Sequence, residues 1–178
     1  MIIGVLSDTH NNYELMMKAV RILTDDFCID SLIHLGDDWE DKEYLEHLGY
    51  QVKGVPGLWC SAYRSGYVPK VGISTFNNTQ IVYVHDIQTL KEIPLKTALL
   101  LSGHTHHFHI ELRQGIPHMN PGHLKAPTNR GREASFGVVQ LDKKSMSLSV
   151  YNLQRQLQLN RTFSLRHEYG KATDEGVK

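Results

Sequence analysis

A chain of 178 residues with 40% hydrophobic side chains is long enough to bury the core of one domain. Its 19 basic and 19 acidic side chains cancel, which argues against a polyanion-binding surface and predicts no bulk nucleic-acid binding. Cys28 and Cys60 form neither a CxxC pair nor a disulfide framework, so thiolate metal sites are disfavoured and a reducing compartment is expected.

Residues 2–6 are an apolar, β-rich run that stops at Ser7-Asp8-Thr9-His10. The run is too short for a signal peptide or a membrane span, so a cytoplasmic protein without membrane contact is expected. Leu15, Met16, Ala19, Val20 and Leu23 follow at helical spacing, with Asn11 or Asn12 available as the cap. The same pattern then recurs. Residues 31–35 read as a strand, Gly36-Asp37-Asp38 as its terminal loop, and residues 41–48 as a short helix stopped by Gly49. Residues 51–55 complete a β-α-β-α-β start, which implies parallel strands joined by right-handed crossovers. Asp8 and Asp37 therefore occupy equivalent strand ends.

Residues 56–69 read as a long irregular loop, of the kind that carries function. Residues 80–84 form a further strand ending in His85-Asp86, and residues 98–101 one ending in Ser102-Gly103-His104-Thr105-His106. From His107 the texture becomes a meander: residues 107–113, 116–120, 135–141, 146–153 and 159–165 alternate or run β-rich between turns, predicting a second, mostly antiparallel sheet. One domain over residues 1–165 with a polar tail over 166–178 is expected.

The strand-end loops deliver Asp8, His10, Asp37, His85, His104 and His106 to one edge. Carboxylates and imidazoles without thiolate suit Mn, Fe, Zn, Ni or Co better than Mg or Ca. Six such ligands exceed what one catalytic ion needs, so two ions sharing a carboxylate are the natural solution. Two ions about 3.5–4 Å apart are the recurring device for hydrolysing phosphate esters. Each residue also has a plainer role to weigh: a helix cap for Asp8, turn chemistry for Asp37, and a hydrogen-bonded core position for His85. His34, inside a strand, reads as structural or as a support for Asp37; His47 reads as solvated, and His107 and His109 as a surface face.

Asp8-Thr9-His10, Gly36-Asp37-Asp38, Val84-His85, Gly103-His104-Thr105-His106 and Asn120-Pro121-Gly122, in this order, resemble the calcineurin-like metallophosphoesterase superfamily, in particular its small YfcE-type phosphodiesterases. The resemblance implies a four-layer α/β/β/α sandwich of the α/β class. It implies Asp8, His10 and His106 on one metal, His85 and His104 on the other, and Asp37 bridging. It also implies Mn2+ as the usual ion, a small phosphodiester as substrate, and attack by a metal-bridging hydroxide; His10 and Asp37 are assigned to catalysis, and so is His123, although it follows Asn120-Pro121-Gly122 where the family usually has Ser.

One departure matters: Leu58 stands where the family has a metal-binding Asn, and Trp59 where relatives carry a histidine that protonates the leaving group. A weak second metal site is expected, with Cys60, Tyr63 or His123 as candidates to stand in. The alternative is a catalytically weakened protein-interaction scaffold of the same fold, like the retromer subunit; a homo-oligomer is left open. A His-x-His amidohydrolase fits poorly, because that motif belongs to the first strand of a barrel of roughly 250 residues.

Overall fold

The structure, a computed structural model, describes residues 1–165 and the backbone of Thr173–Asp174. The rest of the expected polar tail lies outside the described residues. The chain begins β1 (Ile2–Leu6), α1 (Tyr13–Asp25), β2 (Ser31–His34), α2 (Trp39–His47) and β3 (Val52–Gly54), with β1, β2 and β3 parallel as the sequence implies. Asn12 caps α1 by accepting from the Leu15 amide at 3.1 Å. Asp8 is thereby released from capping. The buried face of α1, including Leu15, Met16, Ala19, Val20 and Leu23, packs with Leu45 of α2 against Leu6, Leu32, Phe136 and Val138. Full burial of one such side chain contributes about 1.5–3 kcal/mol, so this layer holds the first two loops in place.

The chain continues through α3 (Ser61–Ser65), β4 (Val71–Phe76), β5 (Thr79–Val84), a 3-10 turn (Ile87–Thr89), β6 (Thr97–Leu101), β7 (His109–Arg113) and β8 (Ile116–Asn120). A small ribbon, β9 (Thr128–Asn129) and β10 (Arg132–Glu133), precedes β11 (Ser135–Leu141), β12 (Ser145–Asn152), β13 (Leu157–Ser164) and β14 (Thr173–Asp174). One sheet has the order β14-β13-β12-β11-β1-β2-β3 and the other β4-β5-β6-β8-β7. Ile3, Val5, Ile33 and Leu35 of the first meet Ile81, Tyr83, Leu99, Leu101 and Met119 of the second in one buried core. This is the expected α/β/β/α sandwich with a reduced second helical layer. Among the described residues, helix outside α1 and α2 is limited to α3 and the 3-10 turn.

Two expectations about strands need correction. The meander after His107 does not build a sheet of its own: β7 and β8 complete the sheet of β5 and β6, while β11 to β13 join β1. Periodicity identifies a strand but not its partner, and β11 is buried along nearly its whole length. In addition, β4 went unread. It pairs with β5 in a hairpin turned by Asn77 and Asn78, at φ 45° and 62°. A two-residue turn with both φ positive matches the right-handed strand twist, and Asn tolerates that backbone.

Candidate metal centre

Asp8 and His10 follow β1, Asp37 follows β2, His85 follows β5, and His104 and His106 follow β6. Each sheet therefore contributes two parallel strand ends to the group. Five of these residues have left-handed backbone: Asp8 (φ 53°), His10 (49°), Asp37 (49°), His104 (67°) and His106 (57°). Such conformations cost about 1–3 kcal/mol each and persist only where the surroundings enforce them. Backbone hydrogen bonds do so here, from Asp8 N to Gly36 O at 3.1 Å, Leu124 N to Asp8 O at 3.1 Å and Gly103 N to His85 O at 2.9 Å. Asn120 adds two more, donating from Nδ2 to Gly103 O at 2.7 Å and to Thr105 Oγ1 at 3.1 Å.

Ligand atoms of Asp8, His10, Asp37 and His106 all lie within 4.8 Å of one another. His106 Nε2 is 3.2 Å from Asp8 Oδ1 and 3.1 Å from His10 Nε2, and His10 Nε2 is 2.7 Å from Asp37 Oδ2. On the other side His85 Nε2 stands 3.4 Å from Asp37 Oδ1, with the His104 ring edge-on to it at 5.2 Å. Asp37 Oδ2 and His85 Nε2 are buried without a hydrogen-bond partner, close as their neighbours are. Buried polar atoms are normally paired, so atoms that converge without pairing fit a cation between them.

The tautomers agree with that fit. His85 Nδ1 lies 2.8 Å from the Leu35 carbonyl, which can only accept, so the proton is on Nδ1 and Nε2 carries a bare lone pair facing Asp37. His106 Nδ1 is likewise held by Asn129 Oδ1 at 3.1 Å, directing Nε2 inward. Burial alone would push the Asp37 carboxyl up, but the imidazoles of His10, His85 and His106 together hold it below the usual carboxylate range. The Asp8 carboxylate conversely raises His106. A negative centre ringed by imidazoles is ready for a divalent ion.

Behind the centre runs a buried relay. Gly36 N–H donates to His34 Nδ1 at 3.3 Å, His34 Nε2 meets Thr9 Oγ1 at 3.1 Å, and Thr9 Oγ1 donates to Asp41 Oδ2. His34 thus braces the loops of Asp8 and Asp37 against α2. Burial pushes its pKa from the ordinary 6.5 to about 4. Because the folded value is the lower one, the stability this neutral ring contributes is complete above about pH 6.5. It is lost as pH falls toward 4, up to about 3 kcal/mol in all. Denaturant unfolding between those pH values should show the decline, and His34→Gln should flatten it. An unchanged slope in the variant would contradict the assignment.

The residues near the Leu58 departure take local roles. Trp59 is 81% exposed. Cys60 caps α3, its Sγ donating to Gly57 O at 3.2 Å and accepting from Tyr63 N at 3.4 Å, and the Tyr63 ring sits under Lys70 Nζ at 3.9 Å. His123 is different. Its ring lies 5.5 Å from that of His106, Nε2 is tied to the Arg132 carbonyl at 3.2 Å, and Nδ1 is buried and unpartnered. Burial lowers its pKa, which keeps the ring neutral. Asn129 escaped the sequence reading, since nothing in a two-residue strand marks a support for a distant histidine. His47 is exposed on α2, as expected.

These features define a two-sheet α/β sandwich with a mixed carboxylate and imidazole cluster at the sheet edges. The family model of the calcineurin-like phosphoesterase superfamily domain matches residues 1–144. The chain is 33% identical over 138 residues, 71% of its length and 70% of the relative's, to a probable metallophosphoesterase of Methanocaldococcus jannaschii. The protein therefore belongs to the calcineurin-like phosphoesterase superfamily. Among solved structures its fold is similar to the phosphoesterase YfcE of E. coli, with TM-score 0.71 and 22% identity over 90% of this chain and 98% of that one. It is also similar to Vps29 of Entamoeba histolytica complexed with zinc, with TM-score 0.63 and 16% identity over 92% and 99% of the two chains. Among the described residues no helix is long and apolar enough to cross a membrane.

Proposed function

We propose that the protein is a metal-dependent phosphodiesterase acting on a small substrate, with two divalent ions, Mn2+ foremost, at this edge. Asp8, His10 and His106 would hold one ion, His85 and His104 the other, and Asp37 would be shared. The observation that carries the reading is the convergence of the Asp8, His10, Asp37 and His106 ligand atoms within 4.8 Å of one another, with the buried, unbonded His85 Nε2 3.4 Å from Asp37 Oδ1. When bound, such ions acidify water and neutralise charge on a phosphoryl group. The chain's own share is positioning. Leu35 and Asn129 fix the tautomers of His85 and His106, and the His104 amide holds the Asp8 carboxylate at 2.9 Å. His123 turns its Nε2 proton to the Arg132 carbonyl at 3.2 Å and leaves a buried, unpartnered Nδ1 beside His106, so it is placed to accept a proton. Balanced net charge disfavours a long polyanionic substrate.

Leu58 brings no donor atom, so the ion on His85 and His104 has fewer protein ligands. That feature, with the likeness to Vps29, supports a second reading as a scaffold with weakened chemistry. Hydrolysis of bis-p-nitrophenyl phosphate by the full chain, with Mn2+ and with a chelator, separates the two. Turnover that appears with Mn2+ and disappears with chelator supports the enzyme. Equal rates in both arms would leave the scaffold.

A further inference from the structure

On the five-stranded sheet, His109 and Glu111 lie two residues apart on β7 and so share one face. Glu111 pairs with His118 across the β7–β8 ladder, which places all three side chains together. Their atoms converge: His118 Nδ1 is 3.3 Å from Glu111 Oε1 and 3.5 Å from His109 Nε2, and His109 Nε2 is 3.8 Å from Glu111 Oε1. These separations exceed the common range of N–H···O hydrogen bonds. They lie close to the edge of a tetrahedron around an ion with bonds of about 2.0–2.2 Å, which is about 3.3–3.6 Å.

The outer nitrogens are tethered as well. His109 Nδ1 faces the His107 carbonyl at 3.2 Å, and since a carbonyl only accepts, the proton is on Nδ1 and the lone pair of Nε2 points into the cluster. His118 Nε2 is held by Ser102 Oγ at 2.8 Å, directing Nδ1 to the same point. Outer-nitrogen anchoring of this kind is the usual support of a metal-binding histidine. His118 is buried, while His109 and Glu111 are 29% and 55% exposed, so the point is firmly built on one side and open to solvent on the other.

We propose that His109, Glu111 and His118 form a separate site for a late first-row divalent cation of the Zn2+ type, with a fourth position open to water. Two imidazoles and one carboxylate suit that class better than Mg2+ or Ca2+. An ion here staples the β7–β8 hairpin and, through Ser102, touches the segment that leads to His104 and His106. This site does not depend on the proposed hydrolysis.

Metal-stripped full-length protein, loaded with Zn2+ alone and desalted, should retain one more ion per chain than the His109→Gln/Glu111→Gln variant. Both replaced side chains are partly exposed, and far-ultraviolet circular dichroism checks that the variant folds. Zinc-edge anomalous diffraction from loaded wild-type crystals should place a peak among the three side chains, and this arm decides if the variant misfolds. Equal zinc content in a folded variant, or anomalous peaks only at the strand-end cluster, would overturn the proposal.

Discussion

Replacing Asp37 by asparagine is expected to lower Mn2+-supported phosphodiester hydrolysis by on the order of 10³-fold and to reduce the number of bound ions. The two Asp37 oxygens face different partners, Oδ2 toward His10 and Oδ1 toward His85, so the carboxylate is the one group standing between both sets of imidazoles. An amide of the same shape replaces one oxygen with a donor and removes the charge. The three imidazoles acting on it, of His10, His85 and His106, then lose their counter-charge, and a cation among them has no shared anion. Shape is preserved, so the fold should survive. Elemental analysis and kcat/KM on bis-p-nitrophenyl phosphate, compared with wild type, measure the effect. A variant that keeps both its ions and its rate within about tenfold would remove Asp37 from the centre.

Gly57→Ala should be nearly as damaging, for a steric reason. A Cβ at Gly57 would lie 2.2 Å from Asp37 Cα and 2.4 Å from its carbonyl oxygen. Those atoms are backbone, so no rotamer relieves the overlap. Gly57 N also donates to Asp37 O at 3.0 Å, which means the two loops cannot part without losing that bond. Relief requires moving the Asp37 turn, already held at a positive φ. A destabilisation of about 2–4 kcal/mol is expected, with loss of metal-supported turnover even in the fraction that folds. The midpoint of denaturant unfolding measures the first and the rate at saturating Mn2+ the second. An unchanged midpoint would show that the loop yields freely.

Much of this candidate centre is visible in the amino-acid order, because each candidate ligand follows an apolar run short enough to be a strand. Asp8 and Asp37 repeat one strand-loop-helix pattern, and His85 and His104 close two further runs. Asn12 rather than Asp8 caps α1, as a choice between neighbouring residues allowed. What stayed hidden depends on pairing across space. Glu111 and His118 are seven positions apart, and only the register of the β7–β8 ladder makes them neighbours. His109 on its own reads as surface. The Asn77-Asn78 turn escaped notice because its preceding strand, β4, is partly exposed and carries Gly72, which fits under the Tyr83 ring. Likewise β11 shows which residues are buried without showing that its neighbour is the first strand of the chain.

With the proposed ions in place, the left-handed turns at Asp8, His10, Asp37, His104 and His106 would tie metal supply to folding. Aspartate and histidine are among the few side chains that tolerate this backbone, and they are also the ones that bind cations. Glycine would relax each turn but leave nothing to coordinate. On that assignment the chain accepts torsional strain to keep these side chains, and a bound cation would offset that cost only in the native state. By mass action, the folded population then rises with the free concentration of the ion, so metal scarcity would thin the pool of native molecules as well as idle their chemistry.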